Sequence, residues 1–258
     1  MDPSRYSASE VANLFSQLKL KAIAECFEER YQAAVVEGVG MLEFLGSLLD
    51  EEGLGRGRRR FERLVKSGNL FLSDSIENYD FDLARKHGVD PAMVRDLAGC
   101  DFVRNRRNVI LAGAVGTGKT RLARLLAYEA IRRDFRAVFE NTRELVEKLH
   151  STRDSYHFGK IYRQYVTAPL LAIDDLAYMP FAPEKVEFLF RLVHDRIEKK
   201  TGSLIITTNT DVKEWWSFFP SKAMGMAFSD RALGGAIGIK FTGKSIRTLP
   251  DSPDTTTE

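Results

Sequence analysis

Residues 108–120 read Asn-Val-Ile-Leu-Ala-Gly-Ala-Val-Gly-Thr-Gly-Lys-Thr, and this stretch decides the fold. Gly113 is followed, after four residues, by Gly118-Lys119-Thr120, the full spacing of a phosphate-binding loop. Ala114, Val115, Gly116 and Thr117 lie between, and Arg121 follows. Glycines let backbone N–H groups turn toward a phosphate with no Cβ in the way. Lys119 can reach the β and γ phosphates, and the Thr120 hydroxyl can ligate Mg²⁺. Val109-Ile110-Leu111 is an apolar run suited to a buried strand. Residues 119–133 read as a helix whose N-terminus faces the phosphates. Residues 113–121 are therefore expected to bind ATP or a similar nucleotide. A chance glycine turn is the bland alternative, and the filled positions and both flanks weigh against it.

Working outward, strands alternate with helices from residue 108 onward, the pattern of a parallel α/β sheet. The strands are expected at 108–112, 136–140, 169–174, 203–208 and 237–241, with helices over 119–133, 142–150 and 184–199. Pro169-Leu-Leu-Ala-Ile-Asp174-Asp175 is an unbroken apolar run ending in two acids. Such a run suits a strand buried on both faces, and its C-terminal end is where open α/β sheets bind ligands. Asp174 is expected to hold Mg²⁺, and Asp175 to orient or deprotonate the attacking water. The competing reading is an N-cap pair at a turn. Ser203-Leu-Ile-Ile-Thr-Thr208-Asn209 ends in an amide that can bond the γ-phosphate or the water; in isolation it would read as a loop asparagine. Arg231, after Asp230, can neutralise charge on the γ-phosphate of a neighbouring subunit, or simply pair with Asp230. Arg247, in Gly243-Lys-Ser-Ile-Arg247, is a candidate for contacting phosphate within the same subunit, and reads equally as a charged residue ending a strand.

The 258 residues are 44% hydrophobic and 29% charged, enough for one large domain or one domain plus a small one. A net charge of +2 is too small to argue for a polyanion partner, so that argument falls to local patches. Cys26 and Cys100 sit in no metal or redox spacing and suggest a reducing cytoplasm. The four histidines, His87, His150, His157 and His194, show no metal-ligand spacing. No apolar signal-peptide core and no 18-residue apolar run occur, so a cytoplasmic chain with no membrane partner is expected. Residues 1–67 are expected to form a small all-α domain, 68–107 a linker with packing helices, 108–248 the ATPase domain and 249–258 a disordered tail. Gly38 and Gly40 break the helical pattern, and Asp50-Glu51-Glu52-Gly53-Leu54-Gly55 is expected to interrupt or kink the next helix. Arg56, Arg58, Arg59, Arg60, Arg63 and Lys66 follow as a basic cluster that can neutralise DNA phosphates without reading bases. A solvated face paired with Glu51, Glu52 and Glu62 competes with that reading. Phe71, Ile76, Tyr79 and Phe81 are expected to pack onto the next domain, and Pro91 to open a short helix over 91–99. Trp215, Trp216, Phe218 and Phe219 read as a loop or subunit anchor.

Phosphate loop, Asp-Asp strand end, Thr-Thr-Asn strand end, Asp-Arg and Gly-x-Ser-x-Arg occur here in the order that resembles AAA+ ATPases of the DnaC/IstB group. The resemblance to the IstB family of insertion-sequence helper ATPases extends into the leader, through Leu18-Lys-Leu-Lys-Ala22, Phe44-Leu-Gly-Ser-Leu-Leu-Asp-Glu-Glu52, Ile76-Glu-Asn-Tyr-Asp-Phe81 and Glu214-Trp215. It covers about residues 10–248. It departs at Ala114-Val115, where the family usually has a Pro-containing pair, at Asp175, where Glu is common, and at Ile246, where Tyr is usual. The resemblance implies an AAA+ core with a five-stranded parallel sheet flanked by helices. It places the strand ending at Asn209 between the phosphate-loop strand and the Asp174 strand, and implies no large helical lid. It further implies an Mg²⁺-dependent ATPase stimulated by DNA, which oligomerises on duplex DNA with an arginine acting in trans and contacts a cognate transposase. A DnaC-like replicative helicase loader is the alternative. A small-molecule P-loop kinase, and a nucleotide-binding scaffold without turnover, are weaker ones.

Overall fold

The computed structural model describes residues 6–176, 182–243 and 245. Arg247 and the tail at 249–258 lie outside them. The helices and strands run, in chain order, α1 Ala8–Gln17, α2 Lys21–Glu37, α3 Met41–Ser67, α4 Phe81–Lys86, α5 Pro91–Ala98 and α6 Asp101–Arg104. They continue as β1 Val109–Gly113, α7 Lys119–Arg132, β2 Ala137–Asn141, α8 Thr142–Thr152, α9 Phe158–Val166 and β3 Leu170–Leu176. The last are α10 Pro183–Glu198, β4 Ser203–Thr208, α11 Lys222–Leu233 and β5 Ile237–Phe241. The chain divides into two compact units, residues 1–63 and 64–258.

The first unit packs α1, α2 and α3 around Ile23, Phe27 and Leu48, with Phe15 and Phe44 closing on Phe27. Ser7 and Glu10 form a reciprocal capping box that opens α1, and Gly38 ends α2 in a left-handed conformation. The interruption expected at 50–55 does not occur: α3 runs unbroken through it. Glu52 turns inward, is 4% exposed, and accepts from the Ala22 and Ile23 N–H groups at the start of α2. Arg56 and Arg59 donate to its other oxygen at 2.9 and 3.0 Å. Gly55 serves packing here, since a Cβ would sit 2.5 Å from that of Ala22.

The second unit carries one five-stranded, wholly parallel sheet in the order β2-β3-β4-β1-β5. The strand ending at Asn209 lies between the phosphate-loop strand and the Asp174 strand, as expected. Ile110, Leu171, Ile173, Leu204 and Ile206 face one core with side chains from α8 to α11. The alternate residues of the strands face the other side, where α7 lies with Leu122, Leu125 and Leu126 fully buried. Both faces are covered, which is why these strands read as continuous apolar runs.

Two helices escaped the pattern. Phe158–Val166 is helical beyond the helix expected at 142–150, and Lys222–Leu233 follows the Trp cluster. Within 68–107, expected as a linker with packing helices, the chain forms two 3₁₀ turns, Leu72–Asp74 and Ile76–Asn78, and then α4. Phe71 does not pack inward; it is 63% exposed, with the Arg124 guanidinium 5.4 Å from its ring. The short helix opened by Pro91 forms, capped by the Asp90 side chain. Among the described residues no helix is long and apolar enough to cross a membrane.

Candidate functional site

The C-terminal ends of β1, β3 and β4 bring the expected nucleotide residues together. Gly113 ends β1 at a φ of 154°, where a Cβ would lie 2.4 Å from the Phe241 carbonyl oxygen on β5. Only a glycine lets β5 come that close. Gly118 caps α7 at a φ of 96° with nothing within 4 Å of where a Cβ would stand, so the space over the helix N-terminus is open to a ligand. Lys119 is 5% exposed and donates from Nζ to the Ala114 carbonyl at 2.7 Å. The Thr117 hydroxyl donates to the same carbonyl at 2.8 Å, which ties the loop across its mouth.

Thr120 Oγ1 lies 3.0 and 3.1 Å from the two carboxylate oxygens of Asp174. Asp174 is 5% exposed and its nearest donors are hydroxyls, with Thr207 Oγ1 at 2.6 Å. Burial pushes its carboxyl above the usual range and the charge of Asp175 adds to this, while the hydrogen bonds from Thr207 and Thr120 pull the other way. A buried carboxylate beside a hydroxyl is an oxygen donor set that suits a hard divalent cation. Asp175 follows at a φ of 54°, within the register shift of the β3–β4 ladder between Ile173 and Leu176. Asp175 is half-buried there. Asn209 is half-buried after β4 and accepts from the Thr210 hydroxyl at 3.2 Å.

Arg231 sits in the last turn of α11, donating to the Ala227 carbonyl at 3.0 Å with its guanidinium 5.7 Å from the centre of the Phe190 ring. No bond from it to Asp230 is present. The six basic residues of α3 are not placed alike. Arg56 and Arg59 hold Glu52, and Arg58 pairs with Glu62 at 3.1 Å. Helical spacing aligns Arg56, Arg60 and Arg63 on one exposed face. Trp215 is fully buried and donates to Thr208 Oγ1 at 3.3 Å, an anchor for the loop, whereas Trp216 is half exposed.

Sequence reasoning missed three parts of the site. Thr207 takes the Asp175 N–H at 2.9 Å, and Thr142 Oγ1 donates to the Asp174 carbonyl at 2.7 Å. The third is a strap at residues 72–80, held against α7. Arg121, expected to touch nucleotide, donates to the Ser73 and Asn78 carbonyls at 3.1 and 3.0 Å. Glu129, 1% exposed, accepts the Ile76 N–H and pairs with Arg132 and Arg133. Between strap and loop lies a cavity of about 320 Å³ lined by Asn78, Tyr79, Asp80, Leu83, Thr117 and Gly118, among others. Burial pushes the Tyr79 hydroxyl up to about 12, so the ring is neutral. A larger groove of about 730 Å³ runs over β1 and β5 and meets the site only at Gly113, Ala114 and Asn209. Polar residues inside an apolar strand, such as Thr207, were the available signal for one of the three.

The sequence profile of IstB-like ATP binding proteins matches residues 13–252. The chain belongs to this family. A Pseudomonas aeruginosa protein described as the ATP-binding protein of insertion sequence IS21 is 31% identical over 92% of this chain and 88% of its own. A Bacteroides fragilis protein of an IS21-like insertion sequence is 33% identical over 92% and 89%. Among solved structures, AMPPCP-bound DnaA from Aquifex aeolicus superposes with a TM-score of 0.52 at 16% identity, over 67% of this chain and 51% of that one. The DnaC helicase loader gives 0.51 at 17%, over 58% and 87%. These likenesses show the AAA+ fold. The IstB-like chain therefore binds ATP on an AAA+ core.

Proposed function

We propose that this IstB-like chain hydrolyses ATP and uses the bound nucleotide to control its assembly on duplex DNA, where it serves a cognate transposase. The contact between Thr120 and Asp174 carries the hydrolytic part: it brings together two oxygen ligands from the loop and from β3, as a metal-assisted phosphoryl site requires. The loop amides and Lys119 bind the β and γ phosphates, for which Lys119 must leave the Ala114 carbonyl. Thr120 and Asp174 would hold Mg²⁺, which would supply charge neutralisation for the phosphates. Asp175 takes the proton of the attacking water, and Asn209 orients that water. The strap cavity beside Gly118 takes the base. Arg231 completes the site of a neighbouring copy, since in its own chain it rests on Phe190. Arg60 and Arg63, with Arg56, supply the exposed basic face for DNA phosphates.

The relatives are named for insertion sequences, whereas the likeness to the helicase loader is one of fold alone, so transposition is the favoured setting. ATP turnover and particle size, measured with and without duplex DNA, test the reading. Lys119→Ala abolishes binding and assembly, and Asp175→Asn binds ATP and assembles but does not turn over. Turnover by Asp175→Asn at the parent rate would remove Asp175 as the base. Preference for single-stranded DNA and capture of a replicative helicase would point to the loader.

A further inference from the structure

In the Thr-Thr-Asn strand end, the Thr207 hydroxyl touches both Asp174 and Asp175. We propose that Thr207 is a positioning residue that sets the geometry of the two acids, so that ATP turnover depends on its hydroxyl while ATP binding does not. The inference rests on the assignment of Asp174 and Asp175 to hydrolysis.

Thr207 is fully buried in β4. Its hydroxyl accepts from the Asp175 N–H at 2.9 Å and donates to Asp174 Oδ1 at 2.6 Å. Both bonds cross from β4 to β3 where the ladder breaks between Ile173 and Leu176. In a regular ladder an inward amide finds a strand carbonyl; at this bulge the Thr207 oxygen receives it. The hydroxyl has a single proton, and giving it to Asp174 leaves the lone pairs for Asp175. One oxygen therefore orients both acids at once, with opposite polarity toward each. Asp175 is held at a φ of 54°, which costs an L-residue energy unless its surroundings secure it. Remove the hydroxyl, and the amide is left buried and unpaired and the turn is free to relax toward extended backbone. The Asp175 carboxylate then shifts relative to Asp174. The contacts of the loop amides and Lys119 with phosphate do not pass through this oxygen.

The next residue supplies an internal control. Thr208 is equally buried, but its hydroxyl lies on the opposite face and accepts from Trp215 and from the Thr210 N–H. A general loss of strand stability would affect both positions alike.

The test uses the full chain with Thr207→Val, Thr207→Ser and Thr208→Val, alongside Lys119→Ala and Asp175→Asn. The readouts are affinity for a fluorescent ATP analogue without Mg²⁺, steady-state turnover, thermal midpoint, and amide exchange at residues 174–176. Thr207→Val lowers kcat about 10- to 100-fold, the size expected when a reacting group is displaced by about an ångström. Its metal-free Kd stays within about threefold, its amide exchange at Asp175 quickens, and Thr207→Ser restores turnover to within about threefold. Thr208→Val lowers the thermal midpoint with a smaller effect on kcat. If the valine variant does not fold, Thr207→Cys, similar in size but a weak hydrogen-bonding partner, carries the same expectation. Parental turnover in Thr207→Val, equal loss of binding and turnover, or a serine variant as poor as the valine one would each overturn the proposal. Failure of the underlying reading looks different: Asp175→Asn itself would then turn over normally.

Discussion

Replacing Arg121 with methionine separates two tasks that a cation at the start of α7 can perform. It can touch phosphate, as the sequence suggests, or it can hold the strap that walls the cavity, as its bonds to the Ser73 and Asn78 carbonyls indicate. Methionine keeps the stem and removes both bonds. Charge-assisted bonds are worth about 1.5–3 kcal/mol when sheltered. Arg121 is exposed, so water competes and the pair together contributes about 1–2 kcal/mol. If binding requires the strap in place, Kd rises about 5- to 30-fold. The loss is equal for ATP and ADP, because Asn78 and Tyr79 line the cavity proposed for the base, a part that both nucleotides share. Calorimetric titration of both nucleotides at fixed ionic strength reads this directly. A loss several times larger for ATP than for ADP would mean that Arg121 acts on phosphate. Parental affinity for both would mean that the strap does not contribute to binding.

Three further outcomes follow from the same geometry. Burial raises the Asp174 carboxyl, so the folded protein keeps that proton longer than the unfolded chain, and the empty protein loses stability as pH rises from 3.8 through the raised value. Asp174→Asn should therefore raise the thermal midpoint at neutral pH, and flatten its pH dependence, while ending Mg²⁺-dependent turnover. Arg60→Gln with Arg63→Gln should lower the salt slope of duplex-DNA binding by about 2, whereas Arg59→Gln should act through Glu52 and cost about 1–3 kcal/mol of stability; an unchanged slope places the DNA contact elsewhere. Arg196 is fully buried, donates to the Tyr165, Val166 and Ser203 carbonyls, and is driven down to about 9 by desolvation. Arg196→Met should destabilise by about 3 kcal/mol in chemical denaturation, with unaltered ATP affinity per folded molecule.

Much of the second unit was legible because its strands are buried on both faces and its ligand loop is local. Val109–Leu111, Leu170–Ile173 and Leu204–Ile206 announce themselves as apolar runs, and the phosphate loop needs only thirteen consecutive residues. Helix α9 was not legible, since Tyr156-His157-Phe158-Gly159 carries no cap or period that marks a start. Glu52 and Gly55 misled for a physical reason. An acid and a glycine usually mark a surface and a break, but here the acid caps a neighbouring helix and the glycine admits a neighbouring alanine. The basic run was visible, yet its division into Arg56 and Arg59, which hold Glu52, and Arg60 and Arg63, which do not, depends on the facing helix.

What the sequence by itself determined is the chemistry within reach of one chain segment: a loop that cradles phosphate, a strand end with two acids, another with an amide, and the family to which these belong. Tertiary structure decided how they meet. The Thr207 hydroxyl joins both acids across a bulge, and the Arg121 guanidinium bonds the strap while lining the cavity beside the loop. Such bonds join residues 32 or more positions apart. Local spacing specifies a loop, but only the packing of one strand on another, and of a strap on a helix, selects the partner for a distant hydroxyl or guanidinium.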